Sequence, residues 1–184
     1  MSSVTSLRGL DHVGLTVPHL DQAVRFFNEA FDAELLFQHG PYRGRGDVQE
    51  RQFARHRDTE VVGIAMLRLG SMNLELLEFT APDQRREPPR TSDLGGHHLA
   101  LYVDDLEGAI VELAAHGARV LGKPMALPGP ESGPDAWFVF CLTPWGLALE
   151  LVSYASGKAY EASTARRLFD PRALPLVTSN GHGL

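Results

Sequence analysis

The chain has 184 residues, of which 43% are hydrophobic and 22% are charged, and these proportions are typical of a globular protein. The net charge is −6 and no block of lysine or arginine occurs, which argues against a nucleic-acid or anionic-membrane partner. No apolar run is long enough to span a bilayer. The single cysteine, Cys141, excludes an intrachain disulfide and favours a reducing cytoplasm.

The first half of the chain predicts the order β-α-β-β-β. Apolar residues alternate at period two in the strands and recur at helical spacing after His19. The expected elements are a lead-in at 1–8, strands at 9–17, 33–38, 61–69 and 73–80, and a helix from His19 to Asp32. The intervening segment 39–60 is rich in arginine and glycine and is expected to form a polar excursion.

The same order repeats after a proline-rich linker at 81–96. The second half predicts strands at 97–103, 119–121, 136–142 and 147–153, with one helix after the first strand. Asp105 is the expected N-cap of that helix and Gly117 its expected end. The extension 154–184 has no strong period: a short helix is possible over 160–169, and residues beyond about 176 are expected to be dispensable.

The two halves align as repeats, which gives the expected boundaries of 9–80 for the first module and 97–153 for the second. His12 and His98 lead equivalent strands, and each is followed on its own face by small or polar residues. Glu75 and Glu150 each lie between two leucines in the last strand of a module. If those leucines face the core, the carboxylates face a cleft.

Two imidazoles and two carboxylates at matching positions suggest a divalent metal site, because neutral histidines and ionised glutamates balance a 2+ ion. A lone strand histidine is more often structural, and a lone glutamate among leucines more often faces solvent. The repeat favours the interpretation as a metal site, since otherwise all four residues would have to occur at equivalent positions of the two modules by chance. His97 and Glu78 are out of phase with His98 and Glu75, and Glu78 is expected to face solvent.

These segments resemble the vicinal oxygen chelate superfamily, which includes glyoxalase I, methylmalonyl-CoA epimerase, extradiol dioxygenases, and fosfomycin- and bleomycin-resistance proteins. The resembling residues are 10–17, 74–77, 96–106 and 144–151. The resemblance implies an α+β fold of two tandem βαβββ modules that form a curled mixed sheet around a metal-binding cleft. It also implies a divalent ion (Zn, Ni, Fe, Mn or Co) held by His12, Glu75, His98 and Glu150, with a small substrate that chelates it through vicinal oxygens.

A fourth ligand at Glu75, as in glyoxalases and epimerases, favours non-redox proton transfer by an isomerase or lyase. The resemblance implies that Glu150 is the base and Glu75 its partner on the opposite face of the substrate. One alternative is an Fe(II)-dependent extradiol dioxygenase, which needs Glu75 off the metal. Another is a binding protein that sequesters a drug or metabolite. A homodimer is expected, and the sequence leaves open whether the cleft forms within one chain or across two.

Two loops and the cysteine carry further expectations. Arg43, Arg45 and Arg51 either meet an anionic substrate or lie in a solvated loop, and the second interpretation is favoured. The Pro/Gly-rich segment 128–134 is either a lid or a plain connection. Cys141 lies in an apolar run and is expected to be an inert core thiol.

Overall fold

The computed structural model describes residues 6–177 and divides them into two compact units. The first unit comprises 6–84 with residues 176 and 177, and the second comprises 85–175. Each unit is a mixed β-sheet with a helix packed on one face, so the prediction of an α+β fold built from tandem modules is confirmed. None of the helices in the described part of the chain is long and apolar enough to cross a lipid bilayer.

The first unit contains five strands and two helices. In chain order these are β1 (Val13–Thr16), α1 (Leu20–Phe31), β2 (Glu34–His39), β3 (Tyr42–Arg43), α2 (Gly46–Phe53), β4 (Glu60–Leu69) and β5 (Met72–Thr80). The strand order is β1-β5-β4-β2, and β3 pairs with β4. Strands β1 and β5 run parallel, whereas β4 is antiparallel to its neighbours.

The segment 39–60, expected to be a polar excursion, contains a short strand and a helix. Strand β3 adds a short antiparallel pairing to β4, and α2 follows it. Gln49 of α2 is buried and donates a hydrogen bond from its side chain to the backbone oxygen of Thr59, at 3.1 Å. This buried contact fixes α2 against the start of β4. The polar composition of the segment gave no indication of it.

Helix α1 buries one face, which includes Leu20, Ala23 and Phe27, against the sheet. The helix ends at Asp32, which adopts the left-handed conformation (φ 52°) typical of helix C-termini. Its N-cap residue, His19, makes no side-chain capping bond. Glu78 of β5 supplies one instead: its Oε2 accepts a hydrogen bond from the backbone nitrogen of Leu20 at 2.7 Å.

The expectation that Glu78 faces solvent is therefore wrong. Its side chain does point away from the face of Glu75, as the period of two requires, but that opposite face is covered by α1. The half-buried carboxylate finds its partner at the positive N-terminus of the helix, which compensates the cost of burying it.

The second unit has four strands and one α-helix. In chain order these are β6 (His98–Tyr102), α3 (Leu106–Ala115), β7 (Arg119–Ala126), β8 (Trp137–Leu142) and β9 (Ala148–Ser153). The strand order is β6-β9-β8-β7, with β6 and β9 parallel. Asp105 caps α3 by accepting from the Gly108 nitrogen at 2.9 Å, and Gly117 follows the helix with φ 84°, as predicted. Strand β7 continues past the predicted 121, through an irregularity between Leu121 and Met125.

Residues 154–177, which follow β9, pack as irregular chain with two short 3₁₀ turns. These are Ala159–Ala162 and Pro171–Ala173, so the helix considered over 160–169 does not form. Arg172 ties the segment back by donating hydrogen bonds to the backbone oxygens of Tyr154 and Ala155, both at 3.1 Å. The prediction that the last residues are dispensable concerns mainly 178–184, which lie outside the described part of the chain.

Candidate metal-binding site

His12 and Glu75 lie side by side in the first unit because β1 and β5 pair in parallel. The register places Gly14 opposite Glu75, so residues 12, 14 and 75 share one face of the sheet. The distance from His12 Nε2 to Glu75 Oε2 is 3.5 Å. The two side chains are 37% and 25% exposed, which keeps both accessible to an ion or a substrate.

Asp11 orients His12, although it was not among the predicted site residues. Nδ1 of His12 donates a hydrogen bond to Oδ2 of Asp11 at 2.6 Å, which leaves Nε2 directed at Glu75. This hydrogen bond is the main cause of the raised pKa of His12, and the negative charge of Glu75 also contributes. A carboxylate on the far nitrogen of a metal-binding histidine is a common support. The acidic residue directly before the histidine was the only sequence signal for it.

His98 and Glu150 form the corresponding pair in the second unit. Strands β6 and β9 pair in parallel with Ala100 opposite Glu150, which repeats the register of Gly14 and Glu75. The distance from His98 Nε2 to Glu150 Oε2 is 3.1 Å, and the side chains are 40% and 16% exposed. Phe140, the β8 partner of Glu150, packs edge-on against the His98 ring with centroids 5.2 Å apart.

The alternation predicted around both glutamates is present. Leu149 and Leu151 are fully buried and point away from the face of Glu150, while Leu74 and Leu76 do the same around Glu75. The glutamates are therefore held at fixed positions by the packing of their neighbours. Each carboxylate lies on the open face of a sheet whose other face forms a core.

The geometry of each pair suits two ligands of one ion. Two atoms about 2.1 Å from an ion are about 3.0 Å apart at a right angle and about 3.4 Å apart at a tetrahedral angle. The observed separations are 3.1 and 3.5 Å. Within 6–177, no group of three or more His, Cys, Asp or Glu side chains is clustered tightly enough to form a site alone. The convergence of both pairs on one ion stays a prediction.

Small residues keep the space beside the carboxylates open. A methyl group built on Gly14 would lie 3.6 Å from Glu75 Oε2 and 3.6 Å from Leu77 Cδ1. Its counterpart in the second unit is Ala100, which occupies the same register position beside Glu150. Both pairs therefore have a small residue beside the carboxylate, as the strand patterns predicted.

Other predicted features are accounted for by local contacts. Arg43 pairs with Glu60 at 2.9 Å and Arg45 with Asp47 at 3.2 Å, and all four side chains are largely exposed, which agrees with the favoured interpretation of a solvated segment. Cys141 is fully buried in β8. Burial raises the pKa of its thiol, so it has the properties expected of an inert core residue.

The chain is similar to a known sequence family and to a named enzyme. The family model described as the glyoxalase/bleomycin resistance protein/dioxygenase superfamily matches residues 11–136. A protein named 2-epi-5-epi-valiolone epimerase, from Actinomyces sp., is 48% identical over 163 residues. That alignment covers 87% of this chain and 87% of the relative.

Solved structures show the same fold at low sequence identity. A glyoxalase family protein from Bacillus cereus has a TM-score of 0.64 and 20% identity, covering 83% of this chain and 98% of the other. The fosfomycin resistance protein FosX from Listeria monocytogenes, complexed with Mn(II) and sulfate, has a TM-score of 0.51 and 14% identity, covering 82% and 95% of the two chains. At these identities the likeness concerns the fold.

Proposed function

Since this chain belongs to the glyoxalase/bleomycin resistance protein/dioxygenase superfamily, we propose that it is a metal-dependent epimerase of a small hydroxyketone of the valiolone type. The observation that carries the proposal is the 48% identity to a 2-epi-5-epi-valiolone epimerase along 87% of both chains. The two His–Glu pairs, at equivalent registers, add a donor set of the kind this chemistry needs.

The proposed ligands are His12, Glu75, His98 and Glu150. Their side chains supply two imidazole nitrogens and two carboxylates, which balance a divalent ion and leave positions for substrate oxygens. When bound, a divalent cation polarises the carbonyl of a chelating hydroxyketone and acidifies the neighbouring C–H bond. The metal, whether Zn, Ni, Fe, Mn or Co, is identified by elemental analysis of the purified protein.

Epimerisation beside a ketone requires removal of a proton from one face of a carbon and delivery of a proton to the other. We assign the removal to Glu150, which is only 16% exposed and pairs across the sheet with Phe140, because this position limits the access of bulk water to the carboxylate that takes the proton. We assign the delivery to Glu75, which passes a proton taken up from solvent to the other face. The carbon–hydrogen bond broken on one face is thus replaced by one formed on the other, and reverse turnover exchanges the two roles.

The small residues beside the glutamates have a defined part in this scheme. Gly14 and Ala100 leave open the space next to Glu75 and Glu150, so the substrate carbon can come within reach of either carboxylate. Asp11 holds the His12 ring through Nδ1, so Nε2 stays available as a ligand. We infer a cytoplasmic homodimer that acts on a small molecule, and sedimentation analysis with intact and variant proteins tests its assembly.

The test is epimerisation of 2-epi-5-epi-valiolone in D₂O by metal-loaded protein, followed by proton NMR. We expect the signal of the C–H next to the ketone to disappear as the epimer forms, because solvent deuterium replaces the removed proton. Glu150→Gln and Glu75→Gln should each lower the rate by a factor of about 100 or more. Glu78→Gln is the matched control, since it alters a carboxylate on the opposite face of β5 and should retain activity.

Three results would contradict the proposal. Metal-loaded protein that neither exchanges deuterium nor forms an epimer is not this epimerase. Oxygen uptake with catechols, retained by Glu75→Gln, would instead indicate a dioxygenase. Tight binding of the ketone by metal-free protein, with no turnover under any metal, would indicate a sequestering protein.

A further inference from the structure

Arg55, in the turn between α2 and β4, is placed between two aromatic rings. Its guanidinium carbon lies 4.3 Å from the ring centroid of Phe79 and 4.9 Å from that of Phe53. Arg55 and Phe79 are half-buried. Stacking on two rings holds the guanidinium plane in a fixed orientation and leaves its N–H edge available to an acceptor.

Arg55 lies above the sheet face that carries the first half of the candidate site. Residues 75, 77 and 79 of β5 alternate onto one face, and the methyl group built on Gly14 meets both Glu75 and Leu77 there. Phe79 is four residues beyond Glu75, which places their Cα atoms about 13 Å apart along the strand. The arginine is therefore on the same side of the sheet as Glu75, at the far end of its open face.

The positive charge of Arg55 has no carboxylate partner within 4 Å among residues 6–177. The nearby Arg43 and Arg45 are both paired with acidic residues, at 2.9 and 3.2 Å. Those two are largely exposed, whereas Arg55 is partly withdrawn from water. A partly desolvated guanidinium without a counter-ion is suited to bind an oxyanion.

The second unit supplies an internal comparison. Tyr154 also lies four residues beyond a candidate metal ligand, Glu150, and cations again stack on its ring: Lys158 at 4.4 Å and Arg172 at 5.2 Å. Both of those cations are neutralised, Lys158 by Glu131 and Arg172 by Asp170 at 2.8 Å. In the second unit, carboxylates therefore pair with both cations stacked on Tyr154. In the first unit, the stacked Arg55 has no carboxylate within 4 Å among residues 6–177.

We propose that Arg55 binds an oxyanion of the substrate, a phosphate monoester on the hydroxyketone, and so determines which hydroxyketones the protein accepts. The assignment to the substrate rests on the proposed function, whereas anion binding at Arg55 does not. Phe79 is four positions beyond Glu75, about 13 Å along the strand, and the substrate with its phosphate ester and the Arg55 side chain would together bridge this distance. Such a substrate is a phosphorylated relative of the ketone named for the Actinomyces enzyme.

The first test is an NMR titration of the metal-loaded protein with inorganic phosphate. We expect the Arg55 side-chain N–H signal and the ring signals of Phe53 and Phe79 to shift together. In Arg55→Gln the affinity should fall by about tenfold or more, because a charge-assisted hydrogen bond is lost. Arg45→Gln is the matched control: it removes the same charge from the same segment and should titrate like the wild type.

The second test compares 2-epi-5-epi-valiolone with its phosphate monoester as substrates. We expect kcat/KM to favour the phosphate by about tenfold or more in the wild type, chiefly through KM, and the preference to vanish in Arg55→Gln. Arg55→Lys, which keeps the charge without the planar stack, should retain part of it. If Arg55→Gln does not fold, the wild-type titration and Arg55→Lys still decide the matter.

The outcomes separate the two proposals. Phosphate shifts elsewhere but not at Arg55, or equal use of both ketones by wild type and Arg55→Gln, would overturn the assignment of Arg55. Turnover of neither ketone, together with phosphate binding at Arg55, would contradict the epimerase and leave the anion site standing.

Discussion

Replacing Glu78 by alanine tests whether this carboxylate caps α1, and Glu75→Ala provides the comparison on the same strand. Glu78 Oε2 accepts the Leu20 N–H at 2.7 Å, in a helix whose own N-cap residue makes no side-chain bond. A hydrogen bond to a charged group contributes about 1.5–3 kcal/mol, and a negative charge near a helix N-terminus adds about 0.3–1 kcal/mol. We therefore expect Glu78→Ala to lower the free energy of unfolding by about 2 kcal/mol.

Glu75→Ala should behave in the opposite way. The contact of Glu75 with His12 is 3.5 Å long and both groups are partly exposed, so its loss should change stability by about 0.5 kcal/mol or less. Metal content should fall in Glu75→Ala and be retained in Glu78→Ala. For a chain of this size, the loss expected for Glu78→Ala corresponds to a melting temperature lower by about 4–8 °C.

Urea unfolding of metal-free protein measures the difference in the free energy of unfolding, and elemental analysis of metal-loaded protein measures the metal content of each variant. Working without metal matters, because a bound ion stabilises the folded state and would mask the comparison. Equal unfolding free energies for the two variants would refute the capping role of Glu78. Loss of metal from Glu78→Ala alone would refute the division of β5 into a helix face and a ligand face.

Three further predictions concern separate residues. His98→Ala should lose bound metal, whereas alanine at the adjacent His97, whose ring donates to a loop carbonyl, should not; equal metal content in both variants would remove His98 from the ligand set. Cys141 is buried with a raised pKa, so a thiol reagent such as DTNB should react with it only after unfolding, and rapid reaction of native protein would contradict its burial. The pairing with Arg172 lowers the pKa of Asp170 below its ordinary 3.8. Its ionised form therefore stabilises the fold above that pH, and the instability of Asp170→Asn relative to wild type should disappear as acid protonates the folded carboxyl; a constant difference measured by urea unfolding down to about pH 2 would show that the charge is irrelevant.

Much of the candidate site was predictable because it depends on local periodicity and repetition. Side chains alternate between the two faces of β5 and β9, so Glu75 and Glu150 had to lie on the opposite face from their leucine neighbours, whatever those leucines pack against. The duplicated pattern placed His12 beside Glu75 and His98 beside Glu150 once the strands paired in parallel at matching registers. Asp105 capped α3 as predicted, since an N-cap bond involves residues only three apart.

Contacts between distant segments could not be read in this way. The period of β5 showed that Glu78 points away from Glu75, and only the packing of α1 on that face made it a helix cap rather than a solvated charge. Likewise, composition showed only that 39–60 is rich in arginine, and the fold alone brought Arg55 onto Phe79 while pairing Arg43 with Glu60. Period and repeat determine which face a side chain occupies, but what that face meets depends on chain segments that lie far away in sequence.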